Sequence, residues 1–214
     1  MGQRETTSPM NDLDFAAMLV SRVCHDLVSP VGAVVNGLEV LEDERDATMR
    51  ADALKLVASS AALAAARLQF ARIAFGAAGS AGAELDLSEV GRMVCGLLQG
   101  SKIEVVWDAA VANWPKDWAK LLMNSALLAA DSLPRGGRVL VATSAAPAPP
   151  SFTVRATGQG ARLLDEVKAA LSGEPSGPLD GRSIQPYLTY KLAQLINADL
   201  TLVSSENHFE IAAK

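Results

Sequence analysis

The chain has 214 residues, half of them apolar and a fifth charged, which is enough for one sizeable core or two small ones and excludes a disordered chain. The net charge is −5 and the basic residues are scattered, so the composition argues against nucleic acid and against an anionic membrane as partner. Two cysteines, Cys24 and Cys95, are too few for a disulfide framework or a Cys-rich metal site. No basic-then-apolar leader and no long uncharged apolar run stand out, and the chain reads as soluble and cytoplasmic.

Residues 1–11 read as a polar, flexible N-terminal tail. A helix is expected from Asp12, with Val20, Val23, Leu27, Val31, Val34, Leu38 and Leu41 spaced by threes and fours along one buried face. A charged turn, Glu42 to Asp46, leads into a second, alanine-rich helix reaching about Phe75, with Leu54, Val57, Ala61, Leu68 and Ile73 expected inward. Two such helices form an antiparallel hairpin over 12–78. Each apolar stripe then has a single partner in the chain, so pairing into a dimeric four-helix bundle is expected.

A small-residue linker, Gly76 to Glu84, precedes a change of periodicity, and a second domain is expected over 84–214. Its expected elements are a helix over Leu85–Leu98 capped near Asp86 or Ser88, a strand over Lys102–Trp107, and a helix over Lys116–Leu133 stopped by Pro134-Arg135-Gly136-Gly137. Strands over Val139–Thr143 and Phe152–Ala156 follow, then helices over Ala161–Leu171 and Pro186–Asn197. The strands Leu200–Ser204 and His208–Ala212 close the chain as a hairpin. Mixed elements without strict alternation predict an α/β sandwich with helices on one face of a sheet, giving an α+β, multi-domain protein.

On the first helix, Arg22, His25, Ser29, Gly32 and Asn36 fall on one line beside the apolar seam. Apart from the arginine, that line is a histidine and small residues, which leaves an imidazole accessible and admits another protein's backbone. Pro30 removes a backbone donor and Gly32 and Gly37 each cost about 1 kcal/mol of helix propensity, so the helix is read as serving a site at the expense of its stability. A neutral imidazole is a nucleophile near pH 7, and its phosphorylated form is a good leaving group. His25 is therefore the candidate phospho-acceptor, and Asp26 the carboxylate that orients or tunes its ring. On residue type alone, His25 is also a plain surface histidine and Asp26 a solvated charge. Cys24 and His25 diverge by about 100° on the helix and make a poor nucleophile–base pair, and the two histidines and two cysteines give no zinc spacing. His208 reads as an incidental strand residue.

The run His25-Asp26-Leu27-Val28-Ser29-Pro30 resembles the H-box of sensor histidine kinases. The second half is similar to the ATP-binding domain (GHKL or Bergerat fold) of the same kinases with its chemistry removed. Leu121 to Gly137 resembles the kinase N-box, with Leu128 in place of the asparagine that holds Mg²⁺. Val154-Arg155-Ala156-Thr157-Gly158-Gln159-Gly160 resembles the adenine-reading box, with Ala156 in place of its aspartate. Where a glycine-rich phosphate loop is expected, the chain reads Gly181-Arg182-Ser183-Ile184-Gln185-Pro186-Tyr187. Taken alone, Gly158 and Gly160 mark only a tight turn after a strand.

An H-box hairpin followed by such a domain resembles the ChpT family of histidine phosphotransferases from alphaproteobacteria. The resemblance implies a homodimeric phosphorelay intermediate of cell-cycle signalling. Phosphoryl would pass from the receiver of a hybrid (CckA-type) kinase to His25, and from there to response-regulator receivers of CtrA and CpdR type. It implies no cofactor, Mg²⁺ being supplied by the partner receiver domain, and no metal or nucleotide site of its own, lost at Leu128 and Ala156. Candidate docking residues are Arg22, Ser29, Gly32 and Asn36. Two other readings share these residues: a working autokinase with an unusual nucleotide pocket, and a non-catalytic dimeric adaptor or kinase inhibitor.

Overall fold

The computed structural model describes residues 11–76, 82–145 and 147–214. The expected tail, apart from Asn11, and the middle of the Gly76–Glu84 linker lie outside the described residues. The elements run α1 Asp12–Asp43, α2 Ala47–Ala74, β1 Glu84–Asp86, α3 Leu87–Leu98, β2 Ile103–Asp108, β3 Asn113–Pro115 and α4 Lys116–Asp131. They continue with β4 Gly137–Thr143, β5 Phe152–Thr157, α5 Asp165–Leu171, α6 Ile184–Leu195, β6 Leu200–Ser205 and β7 His208–Ala213.

The two long helices start on side-chain caps. Asn11 accepts from the Asp14 amide, and Asp46 accepts from the amides of Thr48 and Met49, which supplies the otherwise unpaired first-turn donors. Three residues, Glu44 to Asp46, reverse the chain between them. Arg50 clamps this turn by donating to the carbonyls of Leu41 and Glu44.

The inner face of the hairpin differs from the expected one. Pro30 and Gly37 are the buried residues of α1, while Val23, Leu27, Val34 and Leu41 are half-buried, and Val20, Val31 and Leu38 stay 62%, 49% and 48% exposed. On α2 the buried set is Ala53, Ser60, Phe70, Ile73 and Ala74, with Val57 half-buried and Ala61, Leu54 and Leu68 on the outside. The reason is geometric: one partner helix covers a narrow strip, and α2 comes close to α1 at Gly37. A Cβ on Gly37 would stand 2.6 Å from Val57 Cγ2 and 3.4 Å from the Ala53 carbonyl oxygen. Gly37 thus also has a packing role in the hairpin, beside the helix-propensity cost it carries. By length and composition alone α1 is long and apolar enough to cross a membrane, with an 18-residue window of mean hydropathy 1.3, although it is not the uncharged run sought in the sequence.

The C-terminal part is a five-stranded sheet ordered β2-β4-β5-β7-β6, with β2 and β4 parallel and the remaining pairs antiparallel. Phe152, Val154 and Ala156 of β5 and Phe209, Ile211 and Ala213 of β7 point to the helical side and are buried, as a period of two requires. The opposite face is open and carries the pairs Glu104–Arg138 and Arg155–Glu210. α4 is the central helix, buried almost throughout from Ala119 to Ala130. The β1–β3 ladder was not foreseen, because two three-residue strands carry no periodicity to read. α5 begins at Asp165, four residues later than expected, and Ala161 and Leu163 reach the core from the loop before it. α6 begins at Ile184, so Pro186 falls in its first turn, where a missing N–H leaves no bond unmade. At the corner before β4, Gly136 adopts φ +84° and a Cβ there would lie 2.3 Å from the Lys102 carbonyl oxygen, so only glycine closes this turn.

Candidate functional site

α1 carries His25 with 86% of its side-chain surface open. Its Nδ1 lies 3.3 Å from Asp26 Oδ1, and among the described residues no protein group bonds Nε2. Nδ1–H facing a carboxylate fixes the tautomer in which Nε2 holds the free lone pair. Asp26, about one-third exposed, is itself held: Arg22 Nε donates to its Oδ2 at 2.9 Å.

Arg22, expected among the docking residues, turns back into the molecule. Only 16% of its side chain is exposed, because its guanidinium spans the gap between the two parts of the molecule. Besides Asp26 it donates to the Gly181 carbonyl at 2.8 Å and lies 3.6 Å from Asp131 Oδ2. Burial opposes the Arg22 charge, yet its bond to Asp26 and the two nearby carboxylates outweigh this and raise its pKa. Asp131 is raised too, first by desolvation between the two parts and then by the Asp26 charge, with Arg22 opposing. Half of the Asp131 side chain remains open to solvent, which limits how far that desolvation reaches. The other residues of the predicted line sit differently: Ser29 and Asn36 are exposed, and a Cβ built on Gly32 meets nothing within 4 Å.

A second arginine, Arg67 of α2, donates to the main-chain carbonyl of Asp26. Pro30 is the residue whose N–H would serve that carbonyl in an uninterrupted helix, and proline has none. Nothing in the spacing of the alanine-rich helix singles out Arg67. The missing signal was that a proline four residues after Asp26 creates an orphan acceptor that some side chain must meet.

His25 and Asp26 stand on the wall of a cleft of about 660 Å³ between the hairpin and the sheet domain. Leu128 and Asp131 of α4 and the loop residues Arg162 and Arg182 also line it. Leu128 is 2% exposed, and Ala156 lies wholly in the core between Val139 and Phe209 of the neighbouring strands. At the expected phosphate loop the backbone is a tight turn leading into α6. The Asp180 carboxylate accepts from the amides of Arg182 and Ser183 and from the Ser183 hydroxyl. These bonds, the Ser183 hydroxyl first, hold the Asp180 pKa below its ordinary value.

The N-box-like helix spends its polar side chains on the end of the hairpin. Asn124 Nδ2 donates to the Ala74 carbonyl and Lys120 Nζ to that of Gly76, so the last carbonyls of α2 find partners on α4. Gln185 of α6 backs the arrangement by donating to the Asn124 side-chain oxygen at 3.0 Å. Burial lowers the Lys120 pKa, with Asp117 opposing. Among the described residues no group of three His, Cys, Asp or Glu side chains is placed to hold a metal ion.

Residues 87–208 match the family described as the histidine phosphotransferase C-terminal domain. The protein phosphotransferase ChpT of Brucella abortus (strain 2308) is 41% identical over 186 residues, covering 86% of this chain and 88% of that protein. The solved structure of a bacterial phosphotransferase superposes with a TM-score of 0.86 at 36% identity, over 97% of this chain and 98% of that one.

Proposed function

The chain belongs to the histidine phosphotransferase family, and from that premise we propose that it is a phosphorelay carrier in which His25 takes phosphoryl from one receiver aspartate and gives it to another. The observation that carries this is the His25 ring, open to solvent with Nδ1 against Asp26 and Nε2 unbonded. Nε2 attacks the phosphorus of an aspartyl phosphate; the N–P bond forms as the acyl P–O bond breaks, and the electron pair leaves on the receiver's carboxylate. The Nδ1 proton stays on the ring, where the Asp26 carboxylate stabilises the positive charge that builds. The return step runs the same path to a second receiver.

The chain's own contribution is positioning, with Arg22 holding Asp26 and a helical scaffold presenting the ring. Mg²⁺ belongs to the receiver's acidic pocket, where it neutralises charge on the phosphoryl oxygens. The donor is the receiver of a hybrid kinase, and the acceptors are receivers of CtrA and CpdR type, docking over Ser29, Gly32 and Asn36. The sheet domain binds no nucleotide and supports no autophosphorylation, since Leu128 and Ala156 replace the polar groups such binding requires. The protein works in the cytoplasm as a homodimer. The exposed Val20, Val31 and Leu38 of α1 with Leu54 and Leu68 of α2 support that pairing, because they form apolar surface a second hairpin would cover.

The test is direct: incubate the full chain with a receiver carrying radiolabelled aspartyl phosphate and follow the label. Wild type should acquire acid-labile phosphate and His25→Ala should not. Label on the alanine variant refutes the assignment, and a receiver that binds without passing label makes the protein an adaptor.

A further inference from the structure

The carrier chemistry uses the His25 ring and the Asp26 carboxylate, and leaves unexplained why a second arginine reaches across the hairpin to the main-chain carbonyl of Asp26. Pro30 has no N–H, so the Asp26 carbonyl loses the donor four residues on that every other interior position of an α-helix has. That carbonyl is part-buried and faces α2, where an unmet acceptor is costly. Arg67 comes from 41 residues further along the chain to meet it. Residue 26 is therefore gripped twice, at its carboxylate by Arg22 from the same helix and at its carbonyl by Arg67 from the opposite one.

We propose that Arg67 is a positioning residue for phosphoryl transfer, replacing the helical bond that Pro30 deletes and so fixing the turn that carries His25 and Asp26. The inference rests on the reading of His25 as the carrier. Without Arg67 the turn between His25 and Pro30 lacks one of its hydrogen bonds. Its backbone then wanders, and with it the line from Nε2 to an incoming phosphorus. Transfer is sensitive to such displacements, because misplacing reacting groups by about 1 Å costs up to about a hundredfold. A proline directly after the reactive turn keeps its carbonyl out of the helical ladder, and an arginine then holds that carbonyl from outside.

Transfer from a labelled receiver is timed for the full-length wild type, Arg67→Met, Arg67→Lys, Pro30→Ala and the Pro30→Ala/Arg67→Met double variant. Arg67→Met should be roughly tenfold slower at saturating receiver, with the half-saturating receiver concentration unchanged. Arg67→Lys, which keeps a donor, should recover most of the rate. Pro30→Ala restores an N–H for the Asp26 carbonyl, so in that background Arg67→Met should slow transfer by less than about twofold. Equal tenfold losses in both backgrounds, or a wild-type rate in Arg67→Met, overturn the proposal. A higher half-saturating concentration at an unchanged maximal rate also overturns it, by making Arg67 a docking residue. If Arg67→Met fails to melt cooperatively, the lysine and double variants carry the comparison. Wild type that takes no label refutes the carrier reading and this inference together; labelled wild type matched by Arg67→Met refutes this inference alone.

Discussion

Gly32 and Gly37 lie five residues apart on the same helix, and the structure gives alanine at each an opposite effect. The helix-propensity gain is common to both, about 0.8–1 kcal/mol for Gly to Ala in a helix interior. At Gly32 the new methyl meets nothing within 4 Å, so the gain stands alone. For a chain of this size it should raise the melting temperature by about 2–4 °C. At Gly37 the methyl would arrive 2.6 Å from Val57 Cγ2, with the Ala53 carbonyl 3.4 Å away. Valine on a helix has one strongly preferred rotamer and does not swing aside cheaply. The helices must separate or the rotamer must strain, at about 1–3 kcal/mol. Subtracting the two melts cancels the propensity term, so the gap between the variants reads the steric cost itself, about 1–3 kcal/mol.

The assay is thermal or urea unfolding at one fixed protein concentration, since dimer formation would make stability concentration-dependent. Val57→Ala supplies the control: with Cγ2 gone, Gly37→Ala should become neutral or stabilising. Equal stabilisation by Gly32→Ala and Gly37→Ala in the wild-type background would refute the close approach of α1 and α2 at Gly37. On the proposed function, Gly32→Ala has a second signature. The stabilised protein should pass phosphate more slowly, because the added methyl stands where a receiver's backbone docks.

Arg22→Met leaves the carboxylates of Asp26 and Asp131 without their shared cation. At 16% exposure for the arginine and 31% for Asp26, a loss of about 1–2 kcal/mol is expected, between the surface and buried limits, together with slower transfer through a freed Asp26; urea unfolding and the label-transfer assay check both. Asn124→Leu strips the Ala74 carbonyl and Gln185 of a buried partner and should cost about 2–4 kcal/mol by urea unfolding, and a neutral result would contradict the staple between α2 and α4. The Asp180 carboxyl has its folded pKa held below the ordinary 3.8. Its contribution is therefore complete above pH 3.8 and fades as pH falls through the lower folded value. Acid titration followed by circular dichroism should show Asp180→Asn losing less stability than wild type over that acid range, and parallel acid limbs would contradict the Asp180 turn.

The hairpin, the sheet with helices on one face, and the cap at Asp86 were legible in the sequence, because period and capping chemistry are local signals. The inner face of the hairpin was not. The apolar stripe of α1 has more surface than one helix can cover, so periodicity alone could not say which part meets α2 and which part stays open. Nor could helical-wheel geometry tell that Arg22, on the line of His25, turns back into the molecule, because its partners Asp131 and Gly181 lie more than a hundred residues away. Arg67 was hidden for a related reason: the group it serves is a backbone carbonyl, which has no letter in the sequence.

These long-range bonds have a common character. Segments that resemble the nucleotide site of a kinase take part in holding the hairpin to the sheet domain. The Gly181 carbonyl and Asp131 take Arg22, Lys120 and Asn124 take the end of α2, and Gln185 braces Asn124. A kinase must move its nucleotide to its histidine, whereas a carrier that receives phosphate from outside needs a fixed platform beside an open ring. Lys120, Asn124 and Gln185 restrain the end of α2, while Asp131 and the Gly181 carbonyl meet Arg22, which in turn holds the carboxylate that touches His25. Loosening the interface at Arg22 should therefore be felt at the imidazole, as a change in the His25 ring resonances of Arg22→Met at constant pH. Unchanged resonances would mean that the two parts of the molecule are merely attached.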